Sequence, residues 1–141
     1  FVLVVGQVPV DCVRRDAFQE IDYQRMFGGM AKWVAEVTAP DRIAETLLRA
    51  LRVATAGVPG PVVIAVPEDV LTAETRNAPV APQAPVAAAP RADDIETFRR
   101  WLSAAKRPLI IAGSGLESDA GRAAVRAFAE RWTVPVMVSF R

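Results

Sequence analysis

Pro61-Val62-Val63-Ile64-Ala65-Val66-Pro67 is an unbroken apolar run, mostly β-branched, with a proline at each end. A half-exposed strand alternates polar and apolar residues. This run does not, so it reads as a strand covered on both faces. The prolines mark its limits, because neither can donate to a sheet ladder. Ahead of it, Thr38-Ala39-Pro40-Asp41 opens a helix. Thr38 is placed to cap it, Pro40 fits the first turn, and Asp41 favours the positive end of the dipole. Ile43, Leu47, Leu48 and Leu51 recur at helical spacing, Glu45 and Arg49 form an i,i+4 pair, and Gly57 is a natural stop.

Further towards the N-terminus, residues 32–37 suit a short strand and Gly28-Gly29 breaks the pattern. A short helix is expected from Asp16, with Gln19 as its capping-box partner. Residues 1–5 are a β-branched run of the kind buried in a central strand, ending at Gly6. Beyond residue 92 the alternation resumes. Asp93 and Glu96 start a helix whose stripe is Ile95, Phe98, Leu102 and Ala105. Residues 109–112 form a strand, Ala124, Val125, Phe128 and Trp132 mark another helix, and a last strand begins near Val134. The fold class is therefore α/β: parallel sheets with helices on both faces, in parts of two consecutive domains. Between them, residues 72–92 carry prolines at 79, 82, 85 and 90 among many alanines, the composition of an extended linker.

The chain has 141 residues and lacks a starting Met. With apolar strands at both ends, it reads as an internal piece of a longer polypeptide. No apolar stretch reaches the roughly 20 residues that span a bilayer, and no signal segment opens the chain. A soluble, cytoplasmic protein is expected, with no membrane partner. The 17 basic and 16 acidic residues are interspersed, which argues against a nucleic-acid partner. Cys12 is the only cysteine and histidine is absent. A Ser-His-Asp triad, a Cys-His pair and histidine-based zinc sites cannot be assembled from this chain, and no metal ligands are assigned within it.

Gly113-Ser114-Gly115 lies between a strand and a helix, where a turn can bind phosphate through free amides and the helix dipole. Ser118 replaces the third glycine of the dinucleotide fingerprint, so a tight βα turn is an equal reading. Asp16, Glu20 and Asp22 form an acidic group, read as a helix cap and two solvated side chains.

Several stretches taken together resemble the thiamine diphosphate enzymes of the acetolactate synthase type. They are Val5-Gly6-Gln7-Val8-Pro9, the Phe18-Gln19-Glu20 segment, the Lys32-Trp33 strand, Gly57-Val58-Pro59-Gly60-Pro61-Val62, Val66-Pro67-Glu68-Asp69-Val70, the proline-rich linker and the strand ending in Gly-Ser-Gly. The resemblance covers essentially the whole chain. It implies that residues 1–71 are the C-terminal part of a pyrimidine-binding domain, 72–92 a linker, and 93–141 the start of a central domain.

The resemblance further implies thiamine diphosphate and Mg2+ in the parent protein, a 2-oxo acid substrate, and a homodimer or homotetramer with active sites between subunits. Phe18 and Gln19 match residues facing cofactor and substrate. Gly6 and Gln7 match the end of a strand near the interface between subunits and are carried over as cofactor-binding candidates. Family members can hold FAD with the central domain, and Gly113 and Gly115 are compatible with that. Acetolactate synthases usually carry Lys where this chain has Glu68, which argues against acetolactate chemistry but leaves the wider carboligase and decarboxylase reading intact. The glutamate that activates the cofactor is expected upstream of Phe1, and the magnesium motif downstream of Arg141. The 141 residues alone are accordingly expected to be inactive. Two other readings are a dinucleotide-binding (FAD/NAD-type) module and a non-catalytic interaction domain.

Overall fold

A computed structural model of the chain describes residues 1–81 and 88–140. The chain divides into two compact units, residues 1–87 and 88–141. In the first unit the strands are β1 (Val2–Gln7), β2 (Trp33–Glu36) and β3 (Val62–Pro67), and the helices are α1 (Tyr23–Phe27), α2 (Ile43–Thr55) and α3 (Glu68–Thr72). The strand order is β1-β3-β2 and both pairings are parallel. The run at 62–67 is thus the central strand, and all of its residues are buried. Among the described residues the opening run, β1, pairs with β3 alone, and Phe1 is 81% and Val4 53% exposed.

The core forms where α2 crosses the sheet. Val62, Ile64 and Val66 share one face of β3 and cluster with Val37, Ala50, Ala54 and Val70. Alanine at 50 and 54 lets the helix backbone approach the strand closely. The expected leucine stripe plays a different part. Ile43 packs on the core, but Leu47, Leu48 and Leu51 line a groove of about 380 Å³ with Ala78, Pro79 and Val80. Helix α2 therefore buries one face against the sheet and offers a second to the chain that follows α3.

Local contacts differ from the sequence expectation for identifiable reasons. Thr38 makes no cap: a 3-10 turn at Pro40–Arg42 leads into α2 from Ala39, without a capping side chain. Glu45 meets Arg42 at 3.9 Å in an exposed pair of little energetic consequence. Arg49 instead lies 4.6 Å over the Trp33 ring, where cation–π attraction competes with an exposed carboxylate. Gly57 does terminate the helix region, with φ of +58° just beyond the C-cap Ala56. Lys32 Nζ donates to the Ala56 and Val58 carbonyls at 2.7 and 2.8 Å, tying the turn after α2 to the start of β2.

Asp41 anchors the chain beyond α3. Its carboxylate accepts from Thr75 Oγ1 at 2.8 Å and Arg76 N at 3.0 Å, and its carbonyl accepts from Asn77 Nδ2. The segment read as an extended linker from residue 72 is docked at 75–77. Residues 82–87 of that expected linker lie outside the described residues. The Arg76 amide, followed by the Thr75 hydroxyl, holds the Asp41 carboxyl below the ordinary aspartate range. A depressed folded-state pKa means the contact is intact above the ordinary aspartate pKa and is lost as pH falls through the lowered one. Asp41→Ala is expected to speed tryptic cleavage at Arg76 about tenfold, the equilibrium weight of one charge-assisted hydrogen bond. An unchanged cleavage rate would show that the leucine groove alone holds the segment.

The second unit contains α4 (Ala92–Ala104), β4 (Ile110–Ala112), α5 (Asp119–Trp132) and β5 (Val136–Val138). Strands β4 and β5 form a parallel pair. Phe98 of α4 meets Phe128 of α5 at 6.0 Å between ring centroids, and Phe128 stacks on Trp132 at 6.2 Å. No helix among the described residues is long and apolar enough to cross a membrane.

Candidate functional site

The carboxyl ends of β1 and β3 open on a cleft of about 730 Å³. Open parallel sheets bind ligands at this end of their strands. Gly6 and Gln7 come from the end of β1, Glu68 from the residue after β3, and Cys12, Phe18 and Gln19 from the loop at residues 8–21. The structure thus brings Gly6, Gln7, Phe18 and Gln19 to one place, although Gly6 and Phe18 lie twelve positions apart.

Gln7 is the buried polar residue of the described chain, 6% exposed. Its Nε2 donates to the Ile21 carbonyl at 2.7 Å and reaches the Glu36 carboxylate at 3.4 Å, while its Oε1 accepts from Val8 N at 3.0 Å. Its amide therefore joins the ends of β1 and β2 to the far end of the loop. Tyr23 Oη donates to the Gly6 carbonyl at 2.8 Å, fixing the neighbouring wall. A Cβ at Gly6 would meet nothing within 4 Å, so the backbone there is open to close approach.

The loop is not the helix expected from Asp16. Arg14, Asp16 and Gln19 all have positive φ, at 65°, 54° and 67°. Each such non-glycine residue costs roughly 1 kcal/mol or more and persists only where its surroundings over-determine it. Glu20 does so here. Its carboxylate accepts from the amides of Arg14, Arg15 (3.3 Å) and Ala17 (3.1 Å), taking the donors a helix would have used. The Arg14 amide is the largest influence holding the Glu20 carboxyl below its ordinary range, while desolvation opposes it. Asp69 accepts from Val10 N at 3.2 and 3.3 Å and pins the loop's start to α3.

The acidic group of the sequence therefore divides differently from expectation. Asp16 caps nothing and sits in the left-handed region. Glu20 organises the loop instead of being a solvated side chain. Asp22 is the cap, accepting from Arg25 N at 2.9 Å to start α1. Held this way, the loop displays Phe18 at 90% exposure beside Gln19. Glu20 escaped the sequence reading because its partners are backbone amides, which leave no residue-type pattern.

In the second unit, Gly113 and Gly115 stand between β4 and α5, as expected. Neither has positive φ, Gly113 lying at −106°, and a Cβ at Gly115 would meet nothing within 4 Å. The turn does not require glycine for backbone reasons. The start of α5 is capped from within: Ser118, the residue in place of a third glycine, accepts from Gly121 N at 3.0 Å. Asp119 sits in the first turn, paired to Arg122. Among the described residues there is no cluster of His, Cys, Asp and Glu able to hold a metal ion.

The family model for the central domain of thiamine pyrophosphate enzymes matches residues 95–141. Over 140 residues the chain is 31% identical to the acetolactate synthase isozyme 1 large subunit of Escherichia coli, covering 98% of this chain and 25% of that protein. The chain belongs to the thiamine diphosphate enzyme family. The acetolactate synthase large subunit of Corynebacterium glutamicum is 32% identical over 143 residues, which are 98% of this chain and 23% of that one. Among solved structures, benzoylformate decarboxylase from Polynucleobacter necessarius superimposes with a TM-score of 0.82 at 26% identity, over 98% of this chain and 26% of that one. The 4-hydroxybenzoylformate decarboxylase of Rhodococcus jostii RHA1 shares the fold with a TM-score of 0.85 at 24% identity, over 98% and 27%. This thiamine diphosphate family chain spans about a quarter of the length of the relatives it matches.

Proposed function

We propose that the protein carrying this chain is a thiamine diphosphate-dependent carboligase or 2-oxo acid decarboxylase, and that Phe18 and Gln19 face its cofactor and substrate. The observation that carries the reading is the convergence of Gly6, Gln7, Phe18 and Gln19 on one cleft at the carboxyl ends of a parallel sheet. The cleft suits a flat heteroaromatic ring. Its backbone is open at Gly6, its rim carries an exposed aromatic ring, and Gln19 adds an amide able to donate and accept. When bound, thiamine diphosphate supplies an electron sink for the pair left when a 2-oxo acid loses carbon dioxide.

The chain's own residues do the positioning. Gln7 and Tyr23 fix the wall through Ile21 and Gly6. Glu20 fixes the loop that carries Phe18 and Gln19. Phe18 covers the reacting end and excludes water, and Gln19 orients the substrate by hydrogen bonding. In this reading residues 1–71 are the end of a pyrimidine-binding domain, 72–92 a connector, and 93–141 the start of a central domain. FAD held at Gly113 and Gly115, magnesium bound outside these residues, a cytoplasmic location and a homodimer or homotetramer belong to the same proposal.

The test is steady-state turnover of pyruvate and benzoylformate by the protein that carries this chain, with and without thiamine diphosphate and magnesium. Turnover is expected only with both. Phe18→Ala and Gln19→Ala are each expected to lower kcat/KM by about ten- to a hundredfold, the cost of lost positioning at a reacting centre. The 141 residues alone are expected to give no turnover. Cofactor-independent activity, or two variants that match the parent, would sink the reading.

A further inference from the structure

We infer that Glu68 determines specificity in this cleft, setting it against a second anionic reactant so that the acceptor is a proton or an uncharged aldehyde. The inference rests on the function proposed above. Glu68 lines the same cleft as Phe18, Gln19 and Cys12, and the other described residues lining it are uncharged. Glu68 is thus the charged residue of the lining, while Asp11, Asp69 and Arg15 lie close enough to act on Cys12 from outside it. Among the described residues no ion pair within 4 Å involves Glu68.

Its position is also well defined. Glu68 directly follows the fully buried Pro67 at the end of the central strand and is the first residue of α3. Thr72 Oγ1 donates to its carbonyl at 3.2 Å. The backbone is held on both sides, and Glu68 itself is exposed and lines the cleft.

The chemistry shows where that charge would act. A 2-oxo acid breaks the bond between its carboxylate carbon and its carbonyl carbon and releases carbon dioxide. The electron pair left on the carbonyl carbon then takes a proton, giving an aldehyde. Alternatively it forms a carbon–carbon bond to an acceptor's carbonyl carbon, whose oxygen takes the proton. Both outcomes are redox-neutral and need no further reactant. The donor sheds its carboxylate. A second 2-oxo acid acting as acceptor keeps its own and must approach Glu68, whereas an aldehyde or a proton source brings no negative charge. Two like charges several ångströms apart in a water-exposed cleft shift a partition by about three- to tenfold, and added salt reduces the effect.

The experiment uses the full-length protein carrying this chain, supplied with thiamine diphosphate, magnesium and pyruvate, with or without acetaldehyde as neutral acceptor. The readout is the ratio of acetolactate to acetaldehyde plus acetoin where no acetaldehyde is added, and of acetolactate to acetoin where it is. The parent is expected to favour the uncharged products. Glu68→Gln is expected to raise the acetolactate ratio about three- to tenfold, and Glu68→Lys further, with the Gln effect shrinking as salt is added. A parent that makes mainly acetolactate would overturn the inference. So would ratios unchanged in both variants while turnover persists, a result that leaves the proposed function standing. No thiamine diphosphate-dependent turnover of any 2-oxo acid by the parent would overturn both.

Discussion

Ile64→Ala is expected to destabilise the first unit by about 3 kcal/mol, the middle of the range for deleting a buried isoleucine side chain to alanine. Ile64 is fully buried at the centre of β3, opposite Val4 on one neighbour and Ala35 on the other. Its side chain fills the space between Val62, Val66 and the alanines of α2. Those alanines carry no atoms that could swing into the hole, so the cavity should persist. Ile64→Val removes one methylene and is expected to cost only about 1 kcal/mol. Denaturant-induced unfolding of both variants provides the check. If the alanine variant lies within the error of the valine variant, the sheet–helix contact is looser than described.

Glu20→Ala is expected to lower kcat/KM of the full-length protein by about a hundredfold while barely changing the unfolding midpoint. The carboxylate contributes little to the core. It does satisfy the amides that keep Arg14, Asp16 and Gln19 in conformations they would otherwise leave. Once released, the loop no longer presents Phe18 and Gln19 together, and small misplacements at a reacting centre cost about two orders of magnitude. Glu20→Gln keeps an acceptor oxygen and should retain part of the activity. The pH dependence has a defined sign. Because the folded-state carboxyl lies below its ordinary range, loop stabilisation is complete above the ordinary glutamate pKa and fades as pH falls towards the lowered one. An alanine variant with full activity would mean that Asp69 and Gln7 suffice to hold the loop.

The sequence made some levels of this architecture legible and hid others. The central strand was readable because five consecutive apolar residues between prolines leave no polar face. The strand and helix order of the second unit was readable from periodicity. The pairing partner of β1 was not, because a β-branched run does not name the strand it will lie beside. The helix expected at Asp16 failed because Asp16 and Gln19 imitate a capping box, while the amides of that segment bond to Glu20. The leucines of α2 were correctly apolar, but which of its two apolar faces meets the sheet depends on where small Ala50 and Ala54 permit close packing. The residues of the candidate cleft were recognisable as a resemblance, from several stretches in order. Glu68 joins them only through the crossover that brings β3 beside β1.

The turn after α2 couples two distant positions. A Cβ added at Gly60 would lie 2.8 Å from Lys32 Cδ and 2.9 Å from its Cγ. A lysine stem can usually swing aside, but this one is tethered at its head to the Ala56 and Val58 carbonyls. The two sites are therefore epistatic. A side chain at 60 is admissible only in a background where residue 32 has been shortened, and that background has already given up the tie that closes the turn. Either first step on such a mutational path is disfavoured, so drift at these two positions is constrained as a pair.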